Sequence, residues 1–244
     1  MSSDRAPHRA RIHSERHASS KNASRENISS DNISSEYEDN LLDRLFISLF
    51  CRKMARATGT RTPLTGYDGF VDLSQRIAQH RSPQEQQAAI AHVLRSLVPA
   101  PVLWTIRTVF SPTQRICEWN AWFATQLFEW LVGPCEVAEA IVTGADGQTR
   151  SQTSGVHISK CRYLERSGCV GACVNLCKIP TQTFFTQEFG IPVTMTPNFE
   201  DFSCDMVFGQ VPPQPTEDPV YQQPCTAGRC PTARPAAATC PSVR

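Results

Sequence analysis

What the chain has little of narrows it first. Net charge is almost absent: 24 Lys and Arg stand against 23 Asp and Glu over 244 residues, a formal +1, and the basic residues are spread through the sequence. That leaves no electrostatic footprint for a phosphate backbone, so nucleic acid is not an expected partner. Long apolar runs are missing as well. The best candidate, Pro99 to Phe110, is interrupted by Arg107 and falls short of the ~20 residues a spanning helix needs. A soluble or peripheral chain is expected. No secretory signal with a continuous apolar stretch precedes the cysteines, which number eleven, an odd count. A secreted disulfide framework therefore gives way to reduced thiols, some of them metal-bound.

What remains is enough for one domain: 40% of the residues are hydrophobic, sufficient for a single sizeable core. Residues 1–34 carry a short repeat, Glu26-Asn-Ile-Ser-Ser30 and Asp31-Asn-Ile-Ser-Ser35, and read as a disordered leader or a transit segment. A single domain is expected over 35–225, with a helical part at 35–133 and a Cys-rich part at 156–225. Residues 226–244 are Ala/Pro-rich and read as a disordered tail that leaves Cys230 and Cys240 outside any site. The fold class is α+β, a mainly helical N-terminal half packed on a small Cys-rich C-terminal part with a few short strands.

The helical half is punctuated clearly. Ser35 to Glu38 reads as a capping box ahead of an amphipathic helix ending near Gly59, and Tyr67 to His80 forms a shorter one. Ser82-Pro83-Gln-Glu85 is a second capping box, opening a helix to about Val98. Ser111-Pro112 should cap a long helix running through Leu131, apolar on most of its circumference, which implies full burial or the lining of an apolar pocket. All four tryptophans lie between Trp104 and Trp130. Beyond Gly133-Pro134 the period changes to that of strands: a hairpin from Cys135 to Ser159, a short helix from Thr181 to Phe189 closed by Gly190, and strands at Ile191 to Phe199 and Phe202 to Phe208.

The chemistry concentrates in Cys161, Cys169, Cys173 and Cys177, with Cys204 and Cys225 downstream. On a helix, Cys169, Cys173 and Cys177 form one stripe, each thiol about 6 Å further along the axis than the last. One unbroken helix cannot easily bring all three to one ion. Either Gly168 and Gly171 let the chain leave the helix, or the thiols bind something larger, or they share the work with Cys161, Cys204 or Cys225. The spacing lacks the C-x2-C knuckles of zinc ribbons and the runs of common ferredoxins. Iron, an iron-sulfur cluster, a closed zinc site and plain buried thiols all remain open.

These residues resemble a known family, the plant beta-carotene isomerases that open strigolactone biosynthesis by interconverting all-trans- and 9-cis-beta-carotene. The likeness rests on Lys160 to Glu165, Ser167 to Gln182, Phe184-Phe185, Glu188 to Gly190, Pro197 to Asp201, Ser203-Cys204, Phe208 to Gln210, Glu217 to Pro219 and Gln223 to Cys225. The resemblance implies a plastid-located isomerase that contains iron, mononuclear non-haem or iron-sulfur. Its metal-binding thiols would be drawn from Cys161, Cys169, Cys173, Cys177, Cys204 and Cys225. The expected partners are a carotenoid substrate and, peripherally, the plastid membrane. Glu165 and Asn175 are the candidate catalytic polar residues, placed to hydrogen-bond and orient the site. An iron-sulfur electron carrier or sensor and a zinc-stabilised interaction module are the alternatives.

Overall fold

The structure, a computed structural model, describes residues 12–13, 37–109, 111–143, 147–225, 239, 240 and 243. The helices come first: α1 (Leu41–Thr58), α2 (Gly66–His80), α3 (Pro83–Leu97), α4 (Ala100–Val109), α5 (Gln114–Leu127) and α6 (Glu129–Val132). Two of the starts have a side-chain cap, those of α3 and α1, whereas α5 begins after Thr113, which makes no side-chain cap bond, and not at the expected Ser111-Pro112. The Ser82 hydroxyl accepts the Glu85 N–H while the Glu85 carboxylate accepts the Ser82 N–H, with Pro83 at the first helical position, as the sequence predicts. At α1 the cap is instead Asn40, boxed with Asp43. Asn40 lies directly ahead of the apolar period, closer than Ser35, which is outside the described residues.

The sheet has strand order β1-β2-β3-β5-β4, every pair antiparallel. Its strands are β1 (Ile12–His13), β2 (Glu136–Thr143), β3 (Thr149–Ile158), β4 (Val193–Pro197) and β5 (Cys204–Phe208). A bulge interrupts β2 between Ala138 and Ala140, where Gly155 comes so close that a Cβ on it would lie 2.8 Å from the Ala138 carbonyl oxygen. Helix α5 packs across β3. Ile47 and Met54 of α1, Leu73 and Ile77 of α2, Ile90 and Val93 of α3, Ala121 and Ala124 of α5, and Val156, Ile158 and Phe208 of the strands all join one buried cluster. The α+β class follows.

Between β3 and β4 the chain is helical: α7 (Arg162–Ser167), α8 (Val170–Cys173), a π-helical turn (Val174–Lys178), α9 (Ile179–Phe184) and a second π-helical turn (Phe185–Phe189). The run from Val170 to Phe189 is continuous, closed by Gly190 in the left-handed region at φ 70°. Arg162 locks α7 to the helical half. Its guanidinium, only 7% exposed, pairs both oxygens of Asp39 and lies over the Tyr67 ring at 3.6 Å.

Two expectations need correction. The long helix through Leu131 is broken at Phe128 (φ −106°, ψ 3°) into α5 and α6. That break turns Trp130 into a nest of Phe46, Phe50 and Phe70. The same helix is neither fully buried nor wrapped round a pocket, because Trp119, Trp122 and Phe123 are exposed. An apolar sequence face does not reveal whether anything covers it. The leader lies outside the described residues apart from β1. Most of the tail does too, but Cys240 and Val243 are buried against Val170, Val174 and Val220, and the Cys240 N–H donates to the Gln223 carbonyl at 2.8 Å.

Candidate active site: a thiol-lined cavity

Sheet register brings two of the cysteines together. Ile158 on β3 faces Cys204 on β5, and Cys161 follows Ile158 by three residues. The turn that leads into β5 then reaches back: Phe202, held at φ 65°, accepts the Cys161 N–H on its carbonyl at 2.7 Å. A positive φ is costly for a bulky residue and persists only where the surroundings impose it. Here it ties the two thiol-bearing segments to each other.

The other thiols come from the helical run. Gly168 takes the left-handed conformation at φ 54° and ends α7, so the chain re-enters a helix at Val170 with Cys169 as its cap, the Cys169 sulfur accepting the Ala172 N–H at 3.5 Å. The π-helical turn that follows, a form frequent at functional sites, carries Cys177 one turn beyond Cys173. Cys161, Cys173, Cys177 and Cys204 all line one cavity of about 10 Å³, together with Val132, Ile158, Tyr163, Leu164, Lys178, Met195 and Pro197. That is room for about one water molecule. Cys169 is buried as the helix cap, and Cys225 is half-buried where the main core meets the smaller cluster around Val220.

Burial dominates the electrostatics. Desolvation pushes the Cys161 thiol up to about 11 and Cys177 up to about 12, and raises Cys173 and Cys204 well above the ordinary 9.0. Mutual repulsion adds to this: Cys177, Cys204 and Cys161 each oppose ionisation of Cys173. The opposing influence is Lys178, which favours the thiolates of Cys173 and Cys204. Lys178 is 3% exposed and its ammonium meets the buried Asp218 carboxylate at 2.5 Å. The Tyr163 hydroxyl is wholly buried, which raises its pKa well above the ordinary 10.0, with Ser74 drawing it back.

Lys178, Tyr163 and Met195 were not singled out from the sequence. For Lys178 the signal was present, a lone cation directly after Cys177 in an otherwise apolar stretch. Of the two polar candidates, Glu165 pairs with Lys160 at 2.6 Å and sits close enough to Cys161 to disfavour its ionisation. Asn175 is fully buried and accepts the Gln87 amide at 2.9 Å, joining the π-helical turn to α3. Neither lines the cavity.

An α+β domain in which four thiols from the strands and the helical run converge on one buried cavity defines a cysteine-centred protein. Comparison with known proteins makes this particular. The family model described as "Beta-carotene isomerase D27-like, C-terminal" matches residues 130–217, a stretch that holds all four cavity thiols. The chain is 42% identical over 189 residues to "Beta-carotene isomerase D27, chloroplastic" of Medicago truncatula, covering 78% of this chain and 73% of that protein. It is 37% identical over 190 residues to the Arabidopsis thaliana protein of the same name, covering 77% and 70%. No solved structure matches. The chain belongs to the beta-carotene isomerase D27-like family.

Proposed function

We propose that the protein is a plastid carotenoid cis-trans isomerase, acting on beta-carotene between its all-trans and 9-cis forms. The observation that carries this is the identity of 42% over 189 residues and 37% over 190 to relatives named chloroplastic beta-carotene isomerases, beside a family model whose match at residues 130–217 holds the four converging thiols. Turning one double bond of a conjugated polyene requires that bond to lose double-bond character for a moment and asks for no nucleophile.

Iron is the group proposed for the thiols. Four buried thiols with raised pKa values are costly to ionise alone, and a cation is the partner that makes thiolates tenable there. The donor set fits in kind, since thiolates suit iron as they suit other soft or borderline metals. Among the described residues no three His, Cys, Asp or Glu side chains stand close enough together to hold one ion, so the thiols match iron in donor type and would have to draw in around it. Cys161, Cys173, Cys177 and Cys204 are the residues that would hold it, and the chemistry supplied would be one-electron exchange. The chain itself contributes a dry apolar lining from Val132, Ile158, Leu164 and Met195, and a fixed positive charge at Lys178. A cavity of this size admits no part of a carotenoid, so the polyene docks outside it or opens it.

Anaerobically purified full chain, incubated with detergent-dispersed all-trans-beta-carotene and assayed by chromatography and metal analysis, should hold iron and produce the 9-cis isomer. A colourless zinc protein with no conversion would favour the interaction module, and cluster absorption bands without conversion the electron carrier.

A further inference from the structure

The helix that the site leaves unexplained is α4. Of its ten residues only Leu103 is buried, while Trp104 is 69% exposed, Val109 66% and Val102 45%. Such a surface in water normally offsets its apolar cost with polar groups that seek solvent. On α4 the polar groups are already satisfied. The Thr105 and Thr108 hydroxyls donate to the carbonyls of Pro101 and Trp104 on their own helix, at 2.8 and 2.7 Å, so neither donor depends on solvent. The amides of Val102 and Leu103 both donate to the Pro99 carbonyl, and Pro99 and Pro101 have no N–H to satisfy. Arg107 donates to the Gln187 carbonyl at 2.9 Å.

Charge points the same way. No acidic residue occurs between Glu85 and Glu118, whereas Arg107 and Arg115 on the flanks of this region are exposed. An exposed Trp, a helix whose polar groups are bonded within the protein and flanking arginines, with the neighbouring Glu188 neutralised by Arg95 at 2.6 Å, are the marks of a segment lying in a bilayer interface. We propose that α4 seats the protein on a lipid surface, its Trp104, Val102 and Val109 side chains entering the acyl boundary and Arg107 and Arg115 staying at headgroup level. Ten residues reach about 15 Å, half the hydrocarbon thickness, so α4 lies in the surface and does not cross it. Nor does it cross together with α3, from which it bends by 87° and whose Ile90 and Val93 are in the protein core.

The placement serves the site. Gln187, which anchors Arg107, belongs to the second π-helical turn of the run that carries Cys173 and Cys177. Docking through α4 therefore brings the last turn of the thiol-bearing helical run beside the phase where an apolar polyene dissolves. The purpose of the surface rests on the carotenoid reading; its geometry does not.

The test is sedimentation of the full chain with phosphatidylcholine vesicles containing about one-fifth phosphatidylglycerol, beside conversion assays in detergent and in carotene-loaded vesicles. Wild type should bind. Trp104→Asp and the Trp104→Ala/Val109→Ala double variant should weaken binding at least about tenfold with an unchanged melt. Conversion should persist in detergent and fall in vesicles. Failure of the wild type to sediment, or binding indifferent to both variants, overturns the proposal. So does a dimer that Trp104→Asp makes monomeric while vesicle binding stays the same, which would assign the face to a second copy. Vesicle binding lost in the variants while wild type converts carotene in neither medium would leave the docking surface standing and remove the isomerase reading instead.

Discussion

Cys173 and Cys204 are buried and other thiols oppose their ionisation, so at neutral pH the metal-free site is a set of neutral thiols. The pH dependence follows in sign. A thiol whose folded pKa stands above its unfolded value keeps a proton that the unfolded chain has lost, so the folded state binds more protons in the interval between the two. The stabilisation is fully present below pH 9.0, the ordinary thiol value, and is lost as pH rises through about 11 for Cys161 and about 12 for Cys177. Melting temperature of chelator-treated protein should therefore decline above pH 9.0. The thiolate ultraviolet absorbance of the cavity thiols, taken as wild type minus a variant with Cys161, Cys173, Cys177 and Cys204 changed to Ser, should appear only in that same alkaline range. That difference absorbance already present at neutral pH without metal would contradict the placement of these side chains. Adding the metal should release protons and bring thiolate character down to neutral pH.

At the scale of elements, the contact between the first π-helical turn and the 3-10 turn at Pro219–Gln222 depends on Lys178 and Asp218. Both are nearly fully buried, and Asp218 also accepts the Val220 N–H. Asp218→Asn leaves a buried ammonium without its counter-charge, which should cost about 3–5 kcal/mol. A chemical-denaturation midpoint measures that loss. The paired change Lys178→Met with Asp218→Leu should recover much of it, because the desolvation cost goes with the charges. A neutral effect of Asp218→Asn would show that the pair does not hold these elements together.

Element starts and stops were legible at the Ser82 box, the hairpin after Cys135 and the Gly190 cap, but the caps read at Ser35 and Ser111-Pro112 gave way to Asn40 and Thr113. The break at Phe128, which seats Trp130 in its aromatic nest, and the π-helical turns were not legible, and no residue type announces them. The candidate site shows the same division. The crowding of cysteines was plain in the sequence, but the partnership of Cys161 and Cys204 depends on the register that sets Ile158 opposite Cys204. Spacing along the chain carries no trace of that register.

Across the whole molecule, the helical half supplies a capped, self-consistent frame, the sheet and the helical run hold the thiols, and α4 offers the outer surface. The tryptophans show how easily this layer is misjudged from composition. Four of them in a short stretch suggest a core or a groove, yet only Trp130 is buried, and Trp104, Trp119 and Trp122 face outward. The central claim is that conversion depends on the thiols of Cys161, Cys173, Cys177 and Cys204. The most direct test is the all-trans to 9-cis conversion rate of wild type, Cys173→Ser, Cys204→Ser and Cys51→Ser, with iron content and melting read on the same preparations. Serine is close in size and a far poorer ligand for a soft site. Cys51, on α1 and outside the cavity lining, serves as the control. The account predicts that Cys173→Ser and Cys204→Ser lose iron and at least about a hundredfold in rate, a deficit of about 2.7 kcal/mol in transition-state stabilisation, while Cys51→Ser converts like wild type. Wild-type conversion by a folded, iron-free Cys173→Ser protein would contradict it.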